Sequence, residues 1–192
     1  MSRQFWSETL TWAVASGTAI ANTGTETILF PNITIPANYL QDGRVIRGRA
    51  FFAYGTTATP SLTFALRWGG VAGTVIAKSA ANVMTSAVGG GASMTAMGDL
   101  EFFIQTRSNG SSGTLMTNGV VDYFTSTLGT AGTVTNYGMR MPIASGSTGG
   151  TTPVAVTVDL TADTALSLTA LWSTGAAANS VQGLNYTLEA MN

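Results

Sequence analysis

Asp99 and Glu101 stand two residues apart, and paired carboxylates are the minimum equipment for general acid–base work or for holding a cation through oxygen. Alternation through Asp99 to Arg107 sets Leu100, Phe102 and Ile104 on one face. Asp99, Glu101, Gln105 and Arg107 fall on the other, where Phe103 is the one apolar intruder. Both acids therefore belong to the solvated face of a strand, and that reading outweighs a catalytic one. Asp159 and Asp163 flank a turn, where aspartate commonly bonds local backbone, and no third oxygen ligand accompanies them. Arg44, Arg47 and Arg49 make the one basic cluster, with Arg47 and Arg49 on the same strand face as Val45 and Phe51. A rigid guanidinium fork suits them to an acidic partner surface, and equally to ion pairs with acids of the same chain.

Gly89, Gly90 and Gly91 lack the Gly-Lys-Ser/Thr and the following helix of a phosphate-cradling loop. The sequons at Asn32, Asn109 and Asn185 match a pattern that arises by chance in a chain rich in Thr and Ser. Trp68 and Trp172 could stack on sugars, but inward positions on strands account for both more simply.

The composition narrows the chemistry further. The chain has no cysteine, which removes disulfides, thiolate metal sites and cysteine nucleophiles. It has no histidine, which removes Ser-His-Asp triads, His-bound zinc and the side chain that most readily exchanges protons near neutral pH. The expectation is a protein that is not an enzyme, with no catalytic, cofactor-binding or metal-ligating residues. A net charge of −1, with the basic residues dispersed, provides no field for nucleic acid. The N-terminal segment, interrupted by Glu8 and several Thr and Ser residues, makes a poor signal peptide, and no apolar run approaches the roughly 20 residues of a membrane span. Neither nucleic acid nor membrane is expected as a partner.

Charged residues make up only 9% of the 192 residues while apolar ones make up 45%, so Thr, Ser, Ala, Asn and Gly must supply most of the exterior. Threonine also favours strands through its branched Cβ. Lys78 is the only lysine, a depletion seen in buried interface cores and equally compatible with drift in a Thr/Gly-rich chain.

The elements that must position these residues are strands. Ser61 to Trp68 alternates, with Leu62, Phe64, Leu66 and Trp68 on one face. From Pro153 onward Val154, Val156, Val158 and Leu160 share a face, followed by Leu166, Leu168 and Trp172. Weaker patterns run over Ile28 to Ile35, Arg44 to Tyr54, Thr74 to Lys78, Thr114 to Phe124, and Gly183 to Met191, where Leu184, Tyr186 and Leu188 share a face. Turn signals at Asp42-Gly43, Gly69-Gly70, Ser108-Asn109-Gly110 and Thr174-Gly175 each offer a residue that tolerates positive φ. Gly-rich stretches at Val88 to Ser93 and Ala144 to Thr152 read as loops. No segment carries a capped helical period. The fold class predicted is all-β: a jelly-roll-like β-sandwich of about eight to ten strands with an N-terminal arm. Residues 1–15 form the arm or first strand, and residues 16–192 a single β-sandwich domain. Phe5, Trp6 and Trp12 in the arm are large rings that need somewhere to dock.

The run SGTAIANTGTETILF from Ser16, ITIPANYLQDGRVIRGRAFF from Ile33, LRWGG from Leu66, GTVIA from Gly73 and DTALSLTALWST from Asp163 resembles, in style and order, small β-rich structural proteins of tailed bacteriophages. The resemblance implies a virion component, made in the host cytoplasm, of the head decoration or capsid cement type. Such a protein trimerises on the capsid exterior and stabilises the head by contacting the major capsid protein. It implies an interface at Arg3, Phe5, Trp6 and Trp12 of the arm, with Arg47 and Arg49 beside it. The alternative is a phage fibre or spike module, or another β-sandwich, that binds host glycan. An exposed aromatic ring with Asn, Asp or Gln nearby would favour that alternative.

Overall fold

The computed structural model describes residues 7–13, 15–57, 59–84, 94–124, 139–149 and 152–191, and these form an antiparallel all-β structure. Fourteen strands occur in chain order. They are β1 (Ser7–Trp12), β2 (Ile20–Ala21), β3 (Thr27–Ile28), β4 (Ile33–Ile35), β5 (Val45–Gly55), β6 (Ser61–Trp68) and β7 (Thr74–Ser79). There follow β8 (Asn82–Val83), β9 (Ala96–Ser108), β10 (Gly113–Phe124), β11 (Met139–Ser145), β12 (Val156–Val158), β13 (Thr164–Trp172) and β14 (Ser180–Met191).

The hydrogen-bonded order is β1-β14-β5-β9-β10-β11-β7-β6-β13-β3, with β2 on β14, β4 on β13, β8 on β6 and β12 on β10. The sequence patterns foretold two packed sheets. The chain instead makes one continuous sheet that curls over on itself, giving a jelly-roll-like sandwich. Strand β11 joins the layers, pairing with β10 through residues up to Ala144 and with β7 from Ile143 to Ser145.

The inner faces meet in an aromatic core. Phe52 of β5 lies 4.8 Å from Phe64 of β6, centroid to centroid, and Tyr123 of β10 stands edge-on to Phe52 and Tyr54 at 5.7 and 5.8 Å. Strands β5 and β9 fit these rings by a reciprocal device. Gly48 is directly across from Phe102, and Phe52 directly across from Gly98. Each ring lies over the glycine, so that a Cβ at Gly48 would overlap the Phe102 ring and one at Gly98 the Phe52 ring. Phe30 covers Gly183 in the same way.

Alternation is borne out where it was strongest. Leu62, Phe64, Leu66 and Trp68, then Leu100, Phe102 and Ile104, then Leu166, Leu168 and Trp172 are all buried, including both tryptophans read as inward. Trp68 Nε1 donates to the Asp159 carbonyl at 3.0 Å. Gly43, Gly69, Gly70 and Gly110 adopt positive φ at three of the four expected turns. Gly175 does not, and its lack of a side chain instead permits close approach to Thr23 and Gly24.

Four details differ from the sequence patterns. The single strand expected over Ile28 to Ile35 breaks into β3 and β4, with Leu29 and Phe30 both buried between them and Pro31, which cannot donate to a ladder, at the break. Val154 is exposed and precedes the short β12, so only the later part of the Pro153 run joins the ladder. Leu184 is the extra residue of a bulge, since Gly183 pairs with Phe52 and Asn185 with Phe51. The bulge shifts the phase of β14, leaving Leu184 half-buried while Tyr186 and Leu188 point into the core. The strand count exceeds ten because of two- and three-residue segments too short to register in a pattern.

The described part of the N-terminal segment is structural. Strand β1 pairs with β14 from Ser7↔Met191 to Trp12↔Thr187, and β2 continues along the same edge against Ser180 and Val181. The chain then crosses to the other layer, where β3 and β4 pair with β13. Of the Gly-rich stretches, residues 88–93 lie outside the described residues. Ala144 and Ser145 end β11, and Gly146 and Gly149 then turn with positive φ.

Gly98→Ala is expected to lower unfolding stability by about 2–3 kcal/mol, at the upper end of overpacking costs, because the added methyl meets both the Phe52 ring and the Asp122 carbonyl. Urea denaturation read by tryptophan fluorescence measures it, and a denaturation midpoint equal to the wild type's would show that the ring–glycine contact carries no constraint.

Candidate functional site

Direct cross-strand partners project from the same face of a sheet, so the register lays out the outer face of β1, β14, β5, β9, β10 and β11 row by row. One row runs Trp12, Thr187, Arg49, Glu101, Val120, Pro142. The next runs Asn185, Phe51, Asp99, Asp122, Arg140, and beyond it lie Gln182, Ala53, Met97 and Phe124. On the other side of the Trp12 row come Glu189, Arg47, Phe103 and Asn118.

Three of the six residues expected at an interface, Trp12, Arg47 and Arg49, therefore share this face. Arg3, Phe5 and Trp6 lie outside the described residues.

The arginines lean along their strand to pair diagonally. Arg49 faces Glu101 across the ladder but bonds Asp99 at 2.9 Å, and Arg47 faces Phe103 but bonds Glu101 through Nε at 2.8 Å and Nη2 at 2.5 Å. Arg140 grips Asp122 with two bonds of 2.9 Å. The Arg49 guanidinium also lies 4.7 Å from the centroid of Phe51, and that of Arg47 5.8 Å from Phe103. Phe103, the apolar residue that broke the polar side of β9, is thus partly covered by an arginine. The carboxylates Asp99 and Glu101 are on the outer face as expected, and each is held by an arginine.

Two rings on this face stay open to solvent. Trp12 is 64% exposed and Phe124 49% exposed, with Met97 (58%) directly across the ladder from Phe124. Beside Trp12 stand Thr187 and, one pair further along β14, Asn185. Beside Phe124 stands Asp122 on its own strand, while Gln182 lies at the far end of the row, about 14 Å away across β9 and β5. Strand β1, which carries Trp12, is anchored by the Tyr39 hydroxyl, which donates to a Glu8 carboxylate oxygen at 2.7 Å. Burial, then that hydrogen bond and the charge of Glu8, pushes the Tyr39 phenol up to about 12.

Asp159 bonds its local turn, accepting from the Thr161 backbone N–H at 2.8 Å and hydroxyl at 2.6 Å, which holds its carboxyl below the ordinary value. Asp163 accepts instead from the distant Ala37 N–H at 2.8 Å. Arg44 leaves the Arg47–Arg49 face: its Nη1 donates to the Tyr39 carbonyl, and its guanidinium lies 4.4 Å from the Tyr39 ring centroid.

Sequence reasoning missed a second charged cluster, on the outer face of β6 and β13. Arg67 clasps Glu26 through Nε at 2.6 Å and Nη2 at 2.5 Å, its Nη1 donates to the Gly73 carbonyl, and the Thr169 hydroxyl donates to Glu26 at 2.5 Å. The polar side of SLTFALRW announced Arg67, but Glu26 sits in TGTETILF, where no period marks it as a partner. Burial pushes the Glu26 carboxyl up. The bonds from Arg67 and Thr169 and the charges of Arg67 and Lys78 push it down by more, leaving it below its ordinary 4.5.

No protein-family model matches the chain, and no curated protein matches it. Among solved structures, the CBM2 module of the evolved Dit of Lactobacillus casei BL23 phage J-1 aligns over 99% of this chain and 98% of its own, with 11% identity and a TM-score of 0.42. Lectin I from Ulex europaeus, solved with the methyl glycoside of α-L-fucose, aligns over 98% of this chain and 92% of its own, with 11% identity and a TM-score of 0.39. At that degree of likeness neither neighbour bears on what this chain binds.

Because the folded pKa of Glu26 is depressed, its contribution to stability is present above the unfolded value near 4.5 and is lost as pH falls through the folded value. Glu26→Gln should therefore cost about 1–2 kcal/mol at neutral pH, the lower range for charge-assisted bonds after solvent screening. In urea titrations the gap from the wild type should narrow as pH is lowered below 4.5, and a gap independent of pH would contradict the assignment.

Proposed function

We propose that this chain is a non-catalytic, virion-associated β-sandwich module that binds host-surface glycan through the outer face of β1, β14, β5, β9, β10 and β11. The observation that carries the reading is the exposure of Trp12 and Phe124 on one face, each flanked by side chains able to bond sugar hydroxyls: Asn185 and Thr187 for the first, Asp122 for the second. A sugar ring has an apolar C–H face and a rim of hydroxyls, so it needs a flat apolar surface bordered by donors and acceptors. Rigid strands hold such a surface more accurately than loops.

Association with a virion rests on the order of sequence segments shared in style with small tailed-phage proteins. The decoration reading, a trimer seated on the major capsid protein, ranks second. Obligate interfaces are depleted of charge at their centre. Among the described residues of this face, Arg49, Asp99, Glu101 and Asp122 lie between Trp12 and the Met97–Phe124 pair, so charge occupies its centre.

The test is a glycan array carrying bacterial surface polysaccharides and their fragments, probed with the wild type, Trp12→Ala and Phe124→Ala. Selective binding that falls about tenfold or more in each variant, with unchanged far-ultraviolet circular dichroism, is the expected result. No glycan bound, together with a stable trimer that co-sediments with capsids, would replace this reading with the decoration one.

A further inference from the structure

Resting on the glycan reading, we infer that the ligand is an extended, uncharged polysaccharide lying obliquely across the strands from Trp12 to Phe124, rather than a terminal sugar or an acidic one. Trp12 shares its row with Val120 of β10, four strand spacings away, and Phe124 lies further along β10. With strands about 4.8 Å apart and a rise of about 3.4 Å per residue, the two rings are separated by about 23 Å. No single sugar spans that distance.

The line between them crosses β5 at its midpoint. There stands Phe51, in the intermediate row with Asn185, Asp99 and Asp122, its ring covered by the Arg49 guanidinium. Trp12, the Phe51–Arg49 stack and Phe124 thus form three planar groups in a line at intervals of about 12 Å. Hydrogen-bonding side chains fill the gaps: Asn185 and Thr187 in the first, Asp99 and Asp122 in the second. An elongated chain of rings meets this pattern at several points, whereas a short sugar meets one.

The charges select against an acidic ligand. Arg47, Arg49 and Arg140 are each engaged with a carboxylate of the same face, through Glu101, Asp99 and Asp122 respectively. A carboxylate or phosphate on the ligand would have to displace one of these pairs and would then meet the released acid. A neutral hydroxyl can bond the outward edge of either partner without breaking the pair.

Isothermal titration calorimetry of the full chain against cello-, laminari- and malto-oligosaccharide ladders, from monomer to octamer, with sialyllactose as the acidic short probe, tests this. For at least one ladder, affinity should rise by about tenfold or more between trimer and hexamer and then level off. Phe124→Ala should abolish that rise, so that hexamer affinity falls to no more than that of the trimer. Equal affinity for trimer and hexamer, or tighter binding of sialyllactose than of every neutral ladder, would overturn the inference while leaving the glycan reading in place. No binding to any probe would overturn the inference, and a glycan array equally blank would take the glycan reading with it.

Discussion

Between β5 and β9 the ring of one strand lies where the other has no side chain, Phe52 over Gly98 and Phe102 over Gly48, and Phe30 does the same over Gly183 of β14. The contact fills the space a β-carbon would take and lets large rings lie close to the sheet, where Phe52 can still reach Phe64 and Tyr123 of other strands. It also fixes register. A slip of one residue would bring Cβ atoms under the rings and turn every side chain to the opposite face, driving Arg47 and Arg49 into the core. The ordered rows of the outer face therefore depend on packing that happens on the inner one.

A chain with so few charges has placed them with a pattern. Arg47, Arg49 and Arg140 each have an acid of a neighbouring strand, and Arg67 has Glu26. Pairs as exposed as Arg140–Asp122 contribute little to stability. Their effect on the surface is larger: they present bonding groups of both signs in fixed positions while cancelling the long-range field. Aromatic rings interleaved with such pairs give a face that is polar in detail and neutral at a distance.

The fold class was legible because β6, β9 and β13 place large apolar residues at alternate positions, all of them packed in the core, and because glycines mark three of the turns. What escaped is what alternation cannot encode. The bulge at Leu184 and the break at Leu29–Phe30 are local departures forced by tertiary packing, and the joining of both layers through β11 depends on partners far away in sequence. The site was legible by type and not by arrangement. Trp12, Arg47 and Arg49 stood out as residues, but only the β1–β14–β5 register puts them side by side, and Phe124, at the end of a weakly patterned strand, gave no signal of exposure. Glu26 was silent for the same reason: its partner Arg67 reaches it across space.

Strand β14 lies between β1 on one side and β5 on the other, so a segment near the end of the described chain occupies the space between two that are synthesised much earlier. While the ribosome is still making residues 180–191, β1 and β2 have no ladder to join and β5 has one open edge. Native closure of that layer therefore waits for β14 and is dominated by contacts between distant parts of the sequence, the regime in which folding is slow. In that interval the exposed strand edges make the nascent chain a client for holding factors.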